Sequence, residues 1–354
     1  MKKLGIGLIG LGGISKQHID ELVACSDVEI VALCDVDTAA LERARERLCV
    51  NKEFCFTDYR DLLSLDSVMA VEIMTPNDLH VKIAIDALRA GKHVNLEKPV
   101  ALNYEDALEL ARVGRESGLC AMTCFSYRFK SAVRYAKRLV EEGKLGEVLG
   151  INVSYLKDSG LWEGRRLEWR FDKTRAGSGV IGDLAVHLID LAQLLAGDIT
   201  EVYATRSTVI KERRVIDGDK FLPVTTEDTC YFMAEFKSGA RGTFHITRCA
   251  IGNKNTIKYD VYGTRGAISF NLNSPDEIDI CIGEGDPKDL ETVTVKVPKE
   301  YELDQERAFV NAVLGNRDFL FPTLDDGASG QLVVDSIIKS ADNRIPVKIQ
   351  PKEI

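Results

Sequence analysis

The chain has 354 residues, of which 45% are hydrophobic and 29% charged, and its formal net charge is −9. This length exceeds one typical hydrophobic core, so two domains are expected, and the composition is that of a soluble globular protein. The acidic balance argues against a nucleic-acid or anionic-lipid surface, and no apolar run approaches the roughly 20 residues that span a bilayer.

The N-terminal stretch MKKLGIGLIG superficially resembles a secretion signal. Glycines interrupt its apolar part, however, so it is better interpreted as a first strand and turn, and a cytoplasmic protein is expected. The nine cysteines form no CxxC pair. This pattern favours buried free thiols over a zinc site or a disulfide framework.

Strands alternate with helical patterns through the first third of the chain. The strand-like segments are LGIGLIG, EIVALCD, VMAVEIMTP, HVNLE and LCAMTCF, and the helix-like segments are ISKQHIDELVACS, TAALERARERL, VKIAIDALRAG and YEDALELARVGRESG. Alternation at these lengths predicts βαβ units with a parallel sheet. We therefore expect an α/β nucleotide-type domain over residues 1–124.

The pattern changes near residue 125. One further helix, SAVRYAKRLVEEGKLG, precedes the strand-like segments INVSYLK, EVYATRSTVI, DTCYFMAEF, GARGTFHITRCA, TIKYDVYG and GAISFNL, and the helices QERAFVNAVLGN and GASGQLVVDSIIKSADN precede a last strand, PVKIQ. This predicts an α+β domain with an antiparallel sheet over residues 125–354. A broad apolar sheet face would favour a homodimer or homotetramer.

Two GxGxxG-like patterns overlap in LGIGLIGLGGIS. The literal match, which begins at Gly5, lies within the strand and cannot form the phosphate turn. The second uses Gly10, Gly12 and Gly13, with Ser15 where a third glycine or alanine would stand. It follows a strand and opens a helix near Ile14, as a dinucleotide-binding turn requires.

The second strand ends in VALCDVD and places Asp35 23 residues after Gly12. This spacing is close to the roughly 20 residues expected for the acid that binds the adenosine ribose. A carboxylate there repels a 2′-phosphate, and the next residue is Val36 rather than arginine. NAD is therefore favoured over NADP, although Asp35 could also be an ordinary turn residue. Asp37 is the better candidate for a plain helix N-cap.

At GKHVNLEKP a strand ends in Glu97, Lys98 and Pro99. Ligands of open α/β sheets bind at strand C-termini, and a proline restricts the geometry of the lysine before it, as a cis bond would. Taken alone, Lys98 would more often be a solvated loop lysine.

The segment GDLAVHLID places Asp183, His187 and Asp190 on one face of a helix. Either these are satisfied polar groups near the start of a helix, or they face a cavity where proton transfer occurs. An N-cap-like role suits Asp183. A metal site is disfavoured because no second histidine lies close in sequence.

These motifs together resemble the glucose–fructose oxidoreductase and inositol dehydrogenase family (Gfo/Idh/MocA) along nearly the whole chain. The matching segments are GLIGLGGIS, TPNDLH, AGKHVNLEKP, YRF, EEGKLGEV, WRFD, AGSGVIGDLAVHLID and YGTRGAISF. The resemblance implies a Rossmann domain, then a domain with an open, mostly antiparallel sheet, and NAD(P) bound between them. It also implies oxidation or reduction of a sugar, cyclitol or related polyol without a metal.

The resemblance also implies roles for individual residues. Lys98 matches the active-site lysine, and Asp183 and His187 match the Asp-x-x-x-His pair. Five matched positions fall where the family lines the nicotinamide and its ribose: Thr75, Pro76, Asn77, His80 and Glu97. Two others, Trp169 and Arg170, lie in a segment that reaches the cofactor or substrate in several relatives. Tyr127 and Arg128 suit the substrate pocket. Ser15 and Ser178 depart from the glycines that are common there.

In this interpretation His187 is the general base, Asp183 holds the substrate hydroxyl, and Lys98 stabilises the developing alkoxide. Asp190 is expected to pair or cap locally, and His18 and His93 are expected to be structural. His245 could line the pocket. The alternatives are a nucleotide-responsive regulator on the same fold, which should have lost Lys98 or His187, and a metal-dependent hydrolase, which leaves the glycine turn unexplained.

Overall fold

The computed structural model describes residues 3–351. The chain forms two compact units. Unit 1 comprises the residues up to Phe125 together with Leu303–Ala328, and unit 2 comprises Ser126–Glu302 and the residues from Ser329 onward. The expected boundary after residue 124 lies one residue from the first of these divisions. The assignment of all of 125–354 to the second domain needs correction, because 303–328 returns to unit 1.

Unit 1 is built on a six-stranded parallel sheet with the order β3-β2-β1-β4-β5-β6. The strands are β1 (Leu4–Ile9), β2 (Val28–Cys34), β3 (Cys55–Phe56), β4 (Ala70–Ile73), β5 (His93–Leu96) and β6 (Ala121–Thr123), and the helices are α1 (Ser15–Val23), α2 (Thr38–Leu48), α3 (Tyr59–Leu63), α4 (His80–Arg89), α5 (Tyr104–Ser117) and, from the returning segment, α9 (Gln305–Val313). The predicted Rossmann domain is confirmed. In this order the chain reverses direction across the sheet between β1 and β4, and ligands bind outside the carboxyl ends of the strands at such a point.

Unit 2 is built on a nine-stranded sheet with the order β16-β15-β14-β13-β7-β12-β11-β8-β17. Its strands are β7 (Val148–Leu156), β8 (Ile199–Ser207), β11 (Thr229–Phe236), β12 (Arg241–Thr247), β13 (Thr256–Gly263), β14 (Gly266–Asn271), β15 (Glu277–Ile282), β16 (Val293–Lys296) and β17 (Val347–Lys348), and β9 (Glu212–Arg214) and β10 (Phe221–Pro223) form a separate hairpin. Only β7 and β12 pair in parallel, so the predicted mostly antiparallel sheet is confirmed.

One face of this second sheet is covered by helices. The helices of unit 2 are α6 (Ser131–Glu141), α7 (Lys173–Ala176), α8 (Val186–Ala196) and most of α10 (Leu324–Asn343), and of these α6 and α8 pack on the strands. Strand β7 alternates along its length, with Ile151, Val153 and Tyr155 buried, as expected for a sheet with one covered face. The buried Tyr259 hydroxyl donates to the carbonyl of Leu188 in α8 at 3.3 Å. The position of α8 is therefore set by its packing on the sheet.

One segment of the described chain has the length and mean hydropathy of a membrane span, although charged residues interrupt its apolar runs. It runs over the 24 residues Lys173–Ala196, and 83% of its most apolar window is buried inside the protein. The segment is interrupted at Gly177 and includes α7 and α8. Its apolar character is explained by its place in the core of unit 2.

Candidate active site

The glycine turn after β1 has the conformation that a nucleotide-binding loop needs. Gly10 has a φ of +91°, and a Cβ built there would lie 2.8 Å from backbone atoms of Met74 and Thr75. A Cβ on Gly12 or Gly13 would meet nothing within 4 Å. The first glycine is therefore required by the turn, and the next two leave the backbone open in front of α1, where an anionic phosphate is favoured.

Ser15 replaces the third glycine of the motif without opening the turn. It is the first residue of α1, it is buried, and its hydroxyl donates to the carbonyl of Gly12 at 2.7 Å. Ile14 occupies the N-cap position and makes no side-chain cap. The N–H groups at this helix start are therefore not satisfied by an Ile14 side chain, which suits a site for phosphate.

Asp35 lies beside the glycine turn at the end of β2. One carboxylate oxygen accepts the N–H of Leu11 at 2.5 Å, and the other accepts the N–H of Asp37 at 2.8 Å. Asp37 is the N-cap of α2 and accepts from Ala39 and Ala40, as the sequence predicted. The Asp35 carboxylate is thus held where the second strand meets the turn, the position of a ribose-binding acid.

The segments after β4 and β5 are tied together by His80. Its two ring nitrogens lie 2.8 Å from the carbonyls of Thr75 and Pro99, and its side chain is fully buried. Burial lowers the pKa of His80, although both carbonyls oppose the shift. This placement supports a role in positioning the segment that includes Pro76 and Asn77; direct contact of His80 with a cofactor stays a prediction.

Glu97 and Lys98 follow β5 at the carboxyl edge of the sheet. The Lys98–Pro99 peptide bond is cis, as the sequence suggested. The Glu97 carboxyl oxygen Oε1 lies within hydrogen-bond distance of His18 in α1, 3.1 Å from its Nε2. The expectation that His18 is merely structural overlooked this contact, because nothing near His18 in sequence indicates a carboxylate partner.

In unit 2, the helix that presents Asp183 and His187 begins with a π-helical turn, Ile181–Ala185, followed by α8. Ser178 accepts the N–H of Gly182 at 2.9 Å, and Glu227 accepts from Gly179 and Ile181 at 2.6 and 3.0 Å. The side chains that cap this helix start are therefore Ser178 and Glu227. π turns are frequent at functional sites.

Asp183 and His187 sit one turn apart with different surroundings. The Asp183 side chain is 32% exposed and lies 3.6 Å from the buried guanidinium of Arg248. His187 is buried, and its ring centroid lies 4.6 Å from that of Tyr127. Of these two side chains, Asp183 is the more exposed.

Tyr127 belongs to a hydroxyl chain next to His187. Its hydroxyl lies 2.8 Å from that of Tyr155, which donates to the side-chain oxygen of Asn255 at 3.0 Å. Burial, followed by the proximity of Tyr127, raises the pKa of Tyr155, so its hydroxyl keeps its proton. Tyr155 and Asn255 were missed in the sequence, because neither lies in a matched motif.

Arg128 and Asp190 form a buried bidentate ion pair. Nε and Nη2 of Arg128 donate to the two oxygens of Asp190 at 2.8 and 2.5 Å, and the side chains are 8% and 2% exposed. Asp190 does pair, as expected, but with a residue 62 positions earlier. A buried arginine held in this way is poorly placed for the expected substrate contact, so this geometry supports a structural role for Arg128.

Trp169 and Arg170 lie in a short 3₁₀ turn, where the Arg170 guanidinium stacks over the Trp169 ring at 4.3 Å. The next residue, Phe171, is fully buried, and the guanidiniums of Arg165, Arg213 and Arg248 lie 4.3–5.5 Å from its ring centroid. Arg213 and Arg248 come from distant strands and carried no motif signal. Of the two, Arg248 lies 3.6 Å from the Asp183 carboxylate.

Two groups of described residues could hold a metal ion, and both include His18: His18, Glu97 and Cys124, and His18, Glu72 and Glu306. Within residues 3–351, Asp183, His187 and Asp190 belong to no such group.

His93 accepts the N–H of Cys120 at 2.9 Å, in keeping with a structural role. His245 stacks on Tyr231 at 4.4 Å on the sheet of unit 2.

Comparison with known proteins gives matches to two family models. Residues 4–125 match an oxidoreductase family with an NAD-binding Rossmann fold, and residues 133–269 match the GFO/IDH/MocA C-terminal domain. Both matches agree with the order of the two folds described above.

Curated relatives and solved structures match over the whole chain. Levoglucosan dehydrogenase of Pseudarthrobacter phenanthrenivorans is 31% identical over 96% of this chain and 97% of its own length. Glucose-6-phosphate 3-dehydrogenase of Bacillus subtilis is 26% identical over 99% of both. A solved structure of levoglucosan dehydrogenase in complex with NADH has a TM-score of 0.91 and 29% identity, covering 99% of this chain and 100% of the other.

Proposed function

This chain belongs to the Gfo/Idh/MocA family of oxidoreductases with an NAD-binding Rossmann domain, and from that premise we propose that it transfers a hydride between NAD and a secondary alcohol carbon of a sugar, cyclitol or related polyol. Several relatives carry the names of dehydrogenases for such compounds: levoglucosan, glucose 6-phosphate and inositol. The enzyme is an NAD-dependent dehydrogenase that acts on CH–OH groups.

The residues of unit 1 fit NAD. The open backbone at Gly12 and Gly13 suits a pyrophosphate, and the Asp35 carboxylate suits an unphosphorylated ribose. Val36 is 85% exposed and offers no positive charge to a 2′-phosphate, so NAD is preferred to NADP. When bound, the nicotinamide supplies the hydride chemistry, and the protein supplies orientation and charge.

The proton chemistry is assigned to three side chains. Loss of hydride from a secondary alcohol carbon requires loss of the hydroxyl proton, which the His187 imidazole takes as general base. Asp183 holds the substrate hydroxyl and stabilises the imidazolium. The Lys98 ammonium stabilises the developing alkoxide, or polarises the carbonyl in the reverse direction.

The observation that carries this proposal is the presentation of Asp183 and His187 at the start of α8. Glu227 and Ser178 accept N–H groups at this helix start, where they fix the turn that carries Asp183. Its exposed fraction of 32% leaves a carboxylate accessible one turn from a buried imidazole. No observation favours the alternative of a regulator without turnover, which would have no need of Lys98, Asp183 and His187 together.

We also propose that the enzyme is a cytoplasmic homodimer or homotetramer that binds neither nucleic acid nor membrane. The uncovered face of the unit 2 sheet exposes Tyr203, Tyr231 and Met233 by 38–56%. The same face holds a concavity of about 440 Å³ that includes His245. An exposed cluster of aromatic and methionine side chains on a sheet is typical of an interface between subunits.

A panel of cyclitols, aldoses and anhydrosugars tests the proposal, with NAD or NADP and absorbance of the reduced cofactor as the readout. NAD-dependent oxidation of at least one polyol is expected, and it should survive a chelator because no step uses a metal. Cofactor binding without turnover of any member would instead favour the regulator. Loss of turnover on chelation would favour the metal-dependent alternative.

Replacing Lys98 or His187 by alanine tests the assigned roles. Each change is expected to lower kcat by about 10²- to 10⁴-fold, the usual contribution of a general acid or base, while NADH binding changes little. Steady-state kinetics and fluorescence titration with NADH measure the two quantities. Lys82→Ala, on the exposed face of α4, is the matched control. An unchanged kcat in either catalytic variant would contradict its role.

A further inference from the structure

Four ionisable side chains meet inside unit 1, directly behind the carboxyl edge of the sheet. His18 Nδ1 lies 2.9 Å from Glu306 and 3.2 Å from Glu72, and its Nε2 lies 3.1 Å from Glu97. His18, Glu72 and Glu306 are at most 3% exposed, whereas Glu97 is 13% exposed. The imidazole therefore connects two buried carboxyl groups, those of Glu72 and Glu306, with the partly exposed carboxyl group of Glu97.

Four different elements build this cluster, which we name the His18 cluster (His18, Glu72, Glu97 and Glu306). Helix α1 supplies His18, β4 supplies Glu72, the segment after β5 supplies Glu97, and α9 supplies Glu306. The amide of Asn95 donates to Glu72 at 2.7 Å and to Glu306 at 3.0 Å. These distances are those of hydrogen bonds that join the ring, the amide and the carboxyl groups.

The charges within the cluster are unequal. Burial and the neighbouring Glu306 raise the pKa of Glu72 well above its ordinary value. Burial opposes ionisation of Glu306 too, but the charge and hydrogen bond of His18 lower the pKa of that carboxyl. The raised pKa of Glu72 favours its protonated form, and the lowered pKa of Glu306 favours its carboxylate form.

The imidazole is held in its charged form. Burial opposes the charged form of the ring. The charge of Glu306, together with the hydrogen bonds between the ring and all three carboxyl groups, nevertheless raises the pKa of His18 well above 6.5. Burial likewise opposes ionisation of Glu97, but the hydrogen bond and charge of His18, followed by the charge of Lys98, lower the pKa of Glu97. At neutral pH both ring nitrogens therefore donate.

Glu97 lies where a ligand of this sheet would bind. It follows β5, the neighbour of β4, and β4 and β1 flank the point where the strand order reverses. The other titratable groups that face the cluster are Glu21, also of α1, and Cys124 after β6, both with a raised pKa, and Lys98 and His80 beside Glu97. His18 Nε2 lies 3.1 Å from Oε1 of Glu97.

We infer that His18 is a positioning residue for the cofactor: as an imidazolium anchored by Glu306, it holds the Glu97 carboxylate at the sheet edge as a hydrogen-bond acceptor for NAD(H). The inference rests on the proposed function. It predicts that NADH binding requires the protonated His18 and that Glu306, but not Glu72, keeps the ring protonated.

The sign of the pH dependence follows from the raised pKa of His18. Its proton is present at neutral pH and is lost as pH rises through the folded-state pKa, so NADH affinity is expected to be flat near neutrality. Above that pKa, affinity should fall by up to tenfold per pH unit, the slope for one linked proton. We call this fall of NADH affinity at high pH the alkaline limb. Glu306→Gln removes the negative charge that holds the proton on His18, so it should move the alkaline limb to lower pH.

Glu72→Gln is the matched control, because Glu72 already carries a proton and an amide resembles a neutral carboxyl. Its alkaline limb is expected to stay in place. Fluorescence titration of the full-length protein with NADH, from pH 6 to pH 10, measures the alkaline limb of each of the two variants. At pH 8 Glu306→Gln should bind NADH about tenfold or more weakly than Glu72→Gln, the usual size of a lost charge-assisted hydrogen bond.

Histidine NMR of the protein without cofactor gives a second measurement that does not depend on either variant folding. The chain has five histidines, and His18→Asn identifies the resonance of His18. The wild-type ring is expected to be doubly protonated at pH 7.5.

The outcomes separate the two proposals. A neutral His18 ring at pH 7.5, or identical limbs in the two glutamine variants, would overturn the inference and leave the dehydrogenase proposal standing. Failure of the wild-type protein to bind NADH at any pH would overturn both.

Discussion

Asp35 shows how one side chain can select a cofactor. Its carboxylate is oriented by the N–H groups of Leu11 and Asp37, at 2.5 and 2.8 Å. A negative charge held at the end of the second strand is expected to bind two ribose hydroxyls and to repel a 2′-phosphate. The preference for NAD is thus expected to depend on the charge of this one residue.

Asp35→Asn is expected to lower the preference for NAD over NADP by about 10- to 100-fold, since it removes charge-assisted hydrogen bonds and the repulsion of a 2′-phosphate. Titration with NADH and NADPH measures the ratio of dissociation constants. Asp37→Asn is the control, because asparagine caps α2 as well as aspartate does. The assignment would be wrong if Asp35→Asn and Asp37→Asn gave the same ratio.

At the level of elements, the functional helix of unit 2 depends on how its start is built. Gly179 cannot carry a side chain, because a Cβ there would lie 1.9 Å from the carbonyl oxygen of Glu227. That close approach brings the Glu227 carboxylate onto the N–H groups of Gly179 and Ile181. Ser178 completes the cap, so its departure from glycine adds a hydrogen bond.

Ser178→Ala is expected to destabilise the protein by about 1 kcal/mol, the usual cost of losing a capping hydroxyl. Because the π-helical turn that carries Asp183 follows directly, kcat should fall as well. Urea denaturation and steady-state kinetics measure the two effects. Ser64→Ala, at the exposed end of α3, serves as the control. Unchanged stability and kcat in Ser178→Ala would show that the cap does not position Asp183.

At the level of the whole molecule, unit 2 has one covered and one uncovered sheet face. The face for which an apolar character was expected is in fact mixed, because Tyr203, Tyr231 and Met233 share it with polar residues such as Lys258 and Asp260. Mixed faces of this kind suit an interface with aromatic anchors and a polar rim. Assembly therefore stays a prediction that this surface supports.

The double substitution Tyr231→Lys and Met233→Lys is expected to reduce the oligomer to a smaller species. In a two-fold interface each change appears twice, so the added charges would be buried against one another. Light scattering coupled to size-exclusion chromatography measures the mass. Phe221→Lys on β10, an exposed aromatic outside this sheet, is the control. An unchanged mass in the double variant would exclude this face as the interface.

Local patterns in the sequence were sufficient for much of the fold and for the main motifs. The strand–turn–helix of unit 1, the turn at Gly10 and the edge lysine Lys98 each depend on residues close together in the chain. Such features follow from backbone sterics and hydrophobic periodicity, which act over a few residues. Short or exposed strands such as β3, β15 and β16 were missed because their burial pattern is too weak to register.

Only the tertiary structure decided which ionisable groups meet. Arg128, expected at the substrate pocket, pairs with Asp190, and His18, expected to be structural, contacts Glu306, which lies 288 positions later. Arg248 reaches Asp183 from another element in the same way. The cost of burying a charge is met by whatever partner the fold brings near, and that partner leaves no periodic signal in the sequence.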